Sequence, residues 1–186
     1  MKEIFTVWSQ TKQIVLISIT AAIYAGTLIP FKPIQIIPGL TELRPASAIP
    51  VVFGIMFGPA AAWGSAIGNL IADFFGMLSP ASAFGFVGNF LFSYTAYLIW
   101  KTLAKGDFTM GVKPVMVFIL ASVAASLVCA LTVAGGVQFL GMAPFKVLFL
   151  VIFINNSIMS SVLGTALMAL LYKRIEKMGL IFRGNS

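Results

Sequence analysis

Asp73 is the one carboxylate in this chain that falls deep within a long apolar segment, one helical turn after Asn69, so the two side chains share a helix face. An ionisable group in hydrocarbon is costly and marks a functional position by default. Asn89 and the pair Asn155-Asn156 are the other strong hydrogen-bonding groups in apolar runs, and Glu42 and Arg44 end a loop rich in turn formers. Asn69, Asp73, Asn89 and Asn155 are expected to line a polar cavity with Glu42 and Arg44 at its rim. Phe86 and Phe90, one turn apart near Asn89, are the pair expected to stack on a flat ligand. Each has a plainer reading: interhelical hydrogen bonds for the amides, a loop-ordering ion pair for Glu42 and Arg44, packing for the aromatics.

This inventory binds better than it catalyses. The sequence has no histidine, which removes zinc-protease, serine-protease and haem-ligating chemistry based on imidazole. A single buried carboxylate without a second acid or a metal-ligand cluster makes a poor active site, so no enzyme activity, catalytic residue, metal or cofactor is expected. No glycine-rich phosphate loop ending in Gly-Lys-Ser/Thr occurs, so ATP has to be handled elsewhere. The lone cysteine, Cys129, sits in an apolar run and reads as a buried structural thiol. A site with Asp73 and Glu42 against Arg44 suits neutral, amide-rich or cationic ligands, with a planar base or a cobalamin-like molecule suiting the aromatics.

The elements that position these groups belong to a membrane protein. Of 186 residues, 60% are hydrophobic and 9% charged, a composition that no water-facing surface tolerates. At about 20 apolar residues per crossing, the chain supplies about six helices and no soluble domain. The expected class is all-α, a single polytopic membrane domain over 1–186 with six transmembrane helices, at about 13–31, 45–57, 60–78, 81–103, 114–137 and 145–172. The first apolar run reads as a helix and not as a cleaved signal. The loop 32–44 carries Pro33, Pro38 and Gly39 between isoleucines and is expected to fold back over the helices.

Six crossings put both termini on one side. Nine of the 12 basic residues (Lys2, Lys12, Lys101, Lys105, Lys113, Lys173, Arg174, Lys177 and Arg183) fall on that side, against Lys32, Arg44 and Lys146. The positive-inside rule then places the termini in the cytoplasm and Asp73 in the outer half of its helix. The net charge of +7 is explained by this orientation without nucleic acid.

With its six-helix layout, internal termini, long apolar first external loop and small-residue stripe (Ala21, Ala22, Ile23, Tyr24, Ala25), the chain resembles the substrate-binding S components of energy-coupling factor (ECF) transporters. The run from Leu43 to Gly76 is similar to that of S components of the queuosine-precursor type. The resemblance implies capture of a vitamin or related micronutrient from outside, beneath the first external loop, in the plasma membrane of a prokaryote. It further implies docking through Ala21, Ala22 and Ala25 on a coupling subunit energised by two cytoplasmic ATPases, and toppling in the lipid to release cargo inward. Two alternatives stay open: a structural six-helix protein of the rod-shape type, and an ion-coupled carrier relying on Asp73.

Overall fold

The computed structural model describes residues 2–76, 78–104 and 106–183; the rest of the expected domain, Lys105 among it, lies outside the described residues. The chain folds as an all-α membrane protein with one small hairpin. After a five-residue helix α1 (Lys2–Thr6) come α2 (Thr11–Leu28), strands β1 (Gln35–Ile37) and β2 (Thr41–Glu42), α3 (Ala48–Phe57), α4 (Pro59–Asp73), α5 (Ala81–Leu103), α6 (Val112–Phe139) and α7 (Phe145–Lys177). Four segments are long and apolar enough to cross a bilayer: Thr11–Phe31, Ala81–Leu103, Val112–Phe139 and Phe145–Lys177.

The helices α2, α4, α5, α6 and α7 pack in succession around α3, which touches all of them. All ten residues of α3 are buried, which is why its sequence is apolar on every face. Its 10 residues rise only about 15 Å, half the thickness of the hydrocarbon core. The chain that leads into it, from β2 through the short turn of helix at Pro45–Ser47, is largely buried in the bundle together with the polar cluster described below, whereas β1 is exposed.

The sharp corner from α3 into α4 turns on Gly58, whose φ of 59° is a conformation that a side chain would strain. Pro59 follows at the first turn of α4, where its missing N–H costs nothing. Close α2–α4 packing rests on Gly64 and Gly68: a Cβ on Gly68 would lie 2.8 Å from the Ala21 carbonyl oxygen, and one on Gly64 2.5 Å from Thr20 Cβ. Helix α4 ends at Asp73, earlier than the apolar run 60–78 suggests. Phe74, Phe75 and Leu78 continue that run but are exposed in a turn, so hydropathy alone overshoots the helix end.

The hairpin is the element that the all-helical reading did not foresee. Gln35 pairs with Glu42 and Ile37 with Thr41 around the Pro38-Gly39 turn, the Pro-Gly signal being a turn former between β-branched residues. The loop does fold back on the bundle, because β2 is buried and its far end enters the core.

Candidate functional site

The hairpin delivers its two charged residues into a buried cluster at one end of the bundle, opposite the end that carries α1 and the C-terminal segment. Glu42 and Arg44 do not sit at a rim; both are buried, as are Asn69, Asp73, Asn89 and Asn155. The Arg44 guanidinium donates from Nη2 to Asn69 Oδ1 at 2.6 Å and to Tyr24 Oη at 3.1 Å. Tyr24 Oη donates onward to Asn89 Oδ1 at 2.6 Å, and Asn89 Nδ2 to the Gly85 carbonyl at 2.8 Å. Asn69 and Asp73 share a face as their spacing requires, with Asn69 Nδ2 3.3 Å from Asp73 Oδ2.

Asn155 clamps the hairpin to α7. Its Nδ2 donates to the Glu42 carbonyl at 2.9 Å and its Oδ1 accepts from the Arg44 amide at 3.4 Å. Ser47 Oγ donates to Asn156 Oδ1 at 2.8 Å, and Asn156 Nδ2 approaches the buried Cys129 Sγ at 3.7 Å, so the thiol packs within the same seam.

Charge balance comes from a residue that the sequence reading left among the external cations. Lys32, 4% exposed, places Nζ 2.7 Å from Asp73 Oδ1 and 3.5 Å from Glu42 Oε1, which Arg44 Nε approaches at 3.4 Å. Two cations thus face two carboxylates, the condition under which buried charges are tolerated. Lys32 was missed because a lysine just beyond a helix end, between Pro30 and Pro33, reads as solvated loop. Tyr24 was missed because it lies inside an alanine stripe; the signal was its hydroxyl on the face that α2 turns toward α4.

A cavity of about 40 Å³ lies within the cluster, lined by Lys32, Glu42, Arg44, Asn69, Asp73 and Gly85 among others. A Cβ on Gly85 would come within 2.9 Å of Asn69 Nδ2, so α5 needs glycine to approach here. The space suits a water or two, and any larger ligand requires the hairpin and Lys32 to withdraw.

Phe86 and Phe90 are not brought to this site. Their rings pack on Trp63, 6.4 and 5.0 Å between centroids, in an aromatic row continued by Tyr94 and Tyr97. The residues at which α5 meets the cluster, Ser82, Gly85 and Asn89, lie on the buried face of the helix, whereas Phe86 and Phe90 are half-buried beside it. The alanine stripe divides likewise. Ala21 and Ala25, 5% and 4% exposed, face the bundle interior, and Ala22 alone of the three is exposed. Ser18 and Gly26, one turn to either side, are exposed with it.

The model of the QueT transporter family matches residues 14–173. The chain belongs to the QueT transporter family. QueT proteins are S components of the ECF type, a transporter family and not an enzyme family, so the resemblance drawn from the first helix and the 43–76 run holds. Neither a curated protein sequence nor a solved structure matches the chain. The QueT match spans the whole buried cluster, from Tyr24 and Lys32 to Asn155.

Proposed function

We propose that this chain captures a queuosine precursor, a planar deazaguanine base, in the cluster of Lys32, Glu42, Arg44, Asn69, Asp73, Asn89 and Asn155, and delivers it to a shared ECF module. The observation that carries this reading is a fully buried, charge-balanced set of donors and acceptors, rich in amides and carboxylates, in a chain of the QueT family. Carboxylates accept the paired N–H groups of a guanine-like edge, and amides and Arg44 supply donors for its carbonyl. Stacking falls to none of the predicted aromatics; Phe86 and Phe90 stay with Trp63.

The topology of this reading is six membrane helices in a prokaryotic plasma membrane, with α3 as a short central one and both termini cytoplasmic. The basic-residue count supports it more strongly once Lys32 and Arg44 are seen paired with Asp73 and Glu42. Of the three basic residues on the outer side, only Lys146 is then exposed. The cluster accordingly opens outward, beneath the hairpin. Docking on the coupling subunit uses the exposed stripe Ser18, Ala22 and Gly26 in place of Ala21 and Ala25, since small residues let partner helices approach and slide. Toppling then presents the site inward, with two cytoplasmic ATPases supplying energy.

Native mass spectrometry of the purified chain tests the reading: a bound deazaguanine, lost in Arg44→Ala and Asn69→Ala, is the expected result. Failure of the wild-type chain to bind any deazaguanine at micromolar concentration would sink it.

A further inference from the structure

We infer that a cavity at the end of the bundle carrying both termini binds a zwitterionic lipid headgroup, a phosphate joined to a primary ammonium. The cavity shares no lining residue with the hairpin cluster at the other end. Part of its wall, Phe182 and Arg183, lies beyond the residues 14–173 that the family model matches. Its inner lining is aromatic: Tyr97, Trp100 and Tyr172 border it and are buried. The volume is about 260 Å³. At about 30 Å³ per water, that is room for about eight such atoms, the heavy-atom count of a phosphoethanolamine group.

Both signs of charge meet at its mouth, on Lys101, Asp107 and Arg183. Asp107 takes the Tyr172 hydroxyl at 3.1 Å and Arg183 Nη2 at 3.4 Å on the same oxygen, Oδ1, so Oδ2 accepts nothing among the described residues. Arg183 reaches Asp107 and Glu176 through Nη2 alone, which leaves Nε and Nη1 without a partner among those residues. Lys101 Nζ lies 3.2 Å from Glu3 Oε1 and 5.3 Å from the centre of the Tyr97 ring. Exposed pairs of this kind hold weakly, so a ligand exchanges them at little cost. The phosphate accepts from Arg183 and Lys101, and the ammonium donates to Asp107 Oδ2 beside aromatic rings that also attract it. A purely anionic group is repelled by Asp107, and a purely cationic one by Lys101 and Arg183. A zwitterion satisfies both.

Depth identifies the source of that zwitterion. Trp100 and Lys101 stand near the end of α5, a helix long and apolar enough to span, and Tyr172 stands near the end of α7. Tryptophan and tyrosine at the ends of spans sit at headgroup level, where a lipid presents phosphate and ammonium already held at the surface. Binding there also ties down the C-terminal segment. The Phe182 amide bonds the Met56 carbonyl at 2.7 Å, and its ring lies so close to the α3–α4 corner that a Cβ on Gly58 would stand 2.5 Å from it. A headgroup held by Arg183 therefore fastens this corner to the membrane.

Two measurements on the full chain test this. In the first, native mass spectrometry reads the lipid retained from nanodiscs holding equal amounts of phosphatidylethanolamine, phosphatidylcholine and phosphatidylglycerol. Phosphatidylethanolamine is expected to be retained about tenfold over the other two, since choline has no N–H for Asp107 and phosphatidylglycerol has no cation. Asp107→Asn is expected to bring the three lipids close to equal, whereas Arg183→Gln lowers retention of all three alike because each carries the phosphate. Equal retention by the wild-type chain, or a preference unchanged in Asp107→Asn, overturns the inference. In the second, the unfolding temperature in detergent is expected to rise with short-chain phosphatidylethanolamine and not with soluble glycerophosphoethanolamine at the same concentration. An equal rise with both would overturn the lipid as the source.

Discussion

The two ends of this bundle carry charge in opposite ways. At the hairpin end, Lys32, Arg44, Glu42 and Asp73 are buried around about 40 Å³ of space. At the end that carries both termini, a larger cavity of about 260 Å³ lies among Tyr97, Trp100, Lys101, Asp107, Tyr172, Phe182 and Arg183, yet its ion pairs are open to solvent. Arg183 meets Asp107 at 3.4 Å with both side chains more than half exposed, and Lys101 meets Glu3 at 3.2 Å. The C-terminal segment straps this end, with the Phe182 amide bonded to the Met56 carbonyl at 2.7 Å and Lys12 Nζ donating to the Gly179 carbonyl. Desolvation makes a buried charge costly, and a cluster that survives this cost is fully partnered or functional.

The comparison breaks first on stability. Asp73→Ala leaves Lys32 buried without its closest partner and is expected to cost about 3–5 kcal/mol, whereas Asp107→Ala at the open end is expected to cost under about 1 kcal/mol. Thermal unfolding in detergent reads both, and equal effects would erase the distinction. Next comes the helix face. Ala21→Trp is expected to prevent folding by forcing α2 away from Gly68, while Ala22→Trp and Gly26→Trp, pointing into open space, leave cargo binding intact and abolish uptake. Uptake that survives Ala22→Trp would remove the exposed stripe as the docking face.

Smaller still is the aromatic row. Phe90→Ala is expected to cost about 1–3 kcal/mol of stability, below the range for a fully buried phenylalanine because its ring is only half-buried, and to change cargo affinity less than about threefold. A tenfold loss of affinity in titration calorimetry would return Phe90 to the site. Least affected is Phe182→Ala, which loosens the strap over Gly58 and is expected to leave outward-facing capture unchanged, as equilibrium binding would show.

Much of the site was legible because polar groups in apolar helices are scarce. Asn69 and Asp73 announce a shared face by spacing, and Asn89 and Asn155 stand out against their runs. What misled was position relative to the helix ends. Glu42 and Arg44 read as a rim and Lys32 as an external cation because a loop that folds back over the helices is expected only to cover them, but β2, Arg44 and Lys32 are buried within the bundle. Phe86 and Phe90 read as neighbours of Asn89, which they are in sequence, yet the turn of α5 carries them to a different face.

Composition and periodicity by themselves determined the membrane class, the existence of the long helices and the polar positions Asn69, Asp73, Asn89 and Asn155, since each follows from local hydrophobicity and a helical repeat. Which side of α2 is buried, where α4 stops, and which cation balances Asp73 were decided only in three dimensions. Those depend on partners 41 and more residues apart, which meet because glycines at 64, 68 and 85 let the helices approach and because burial forces every charge to find its opposite.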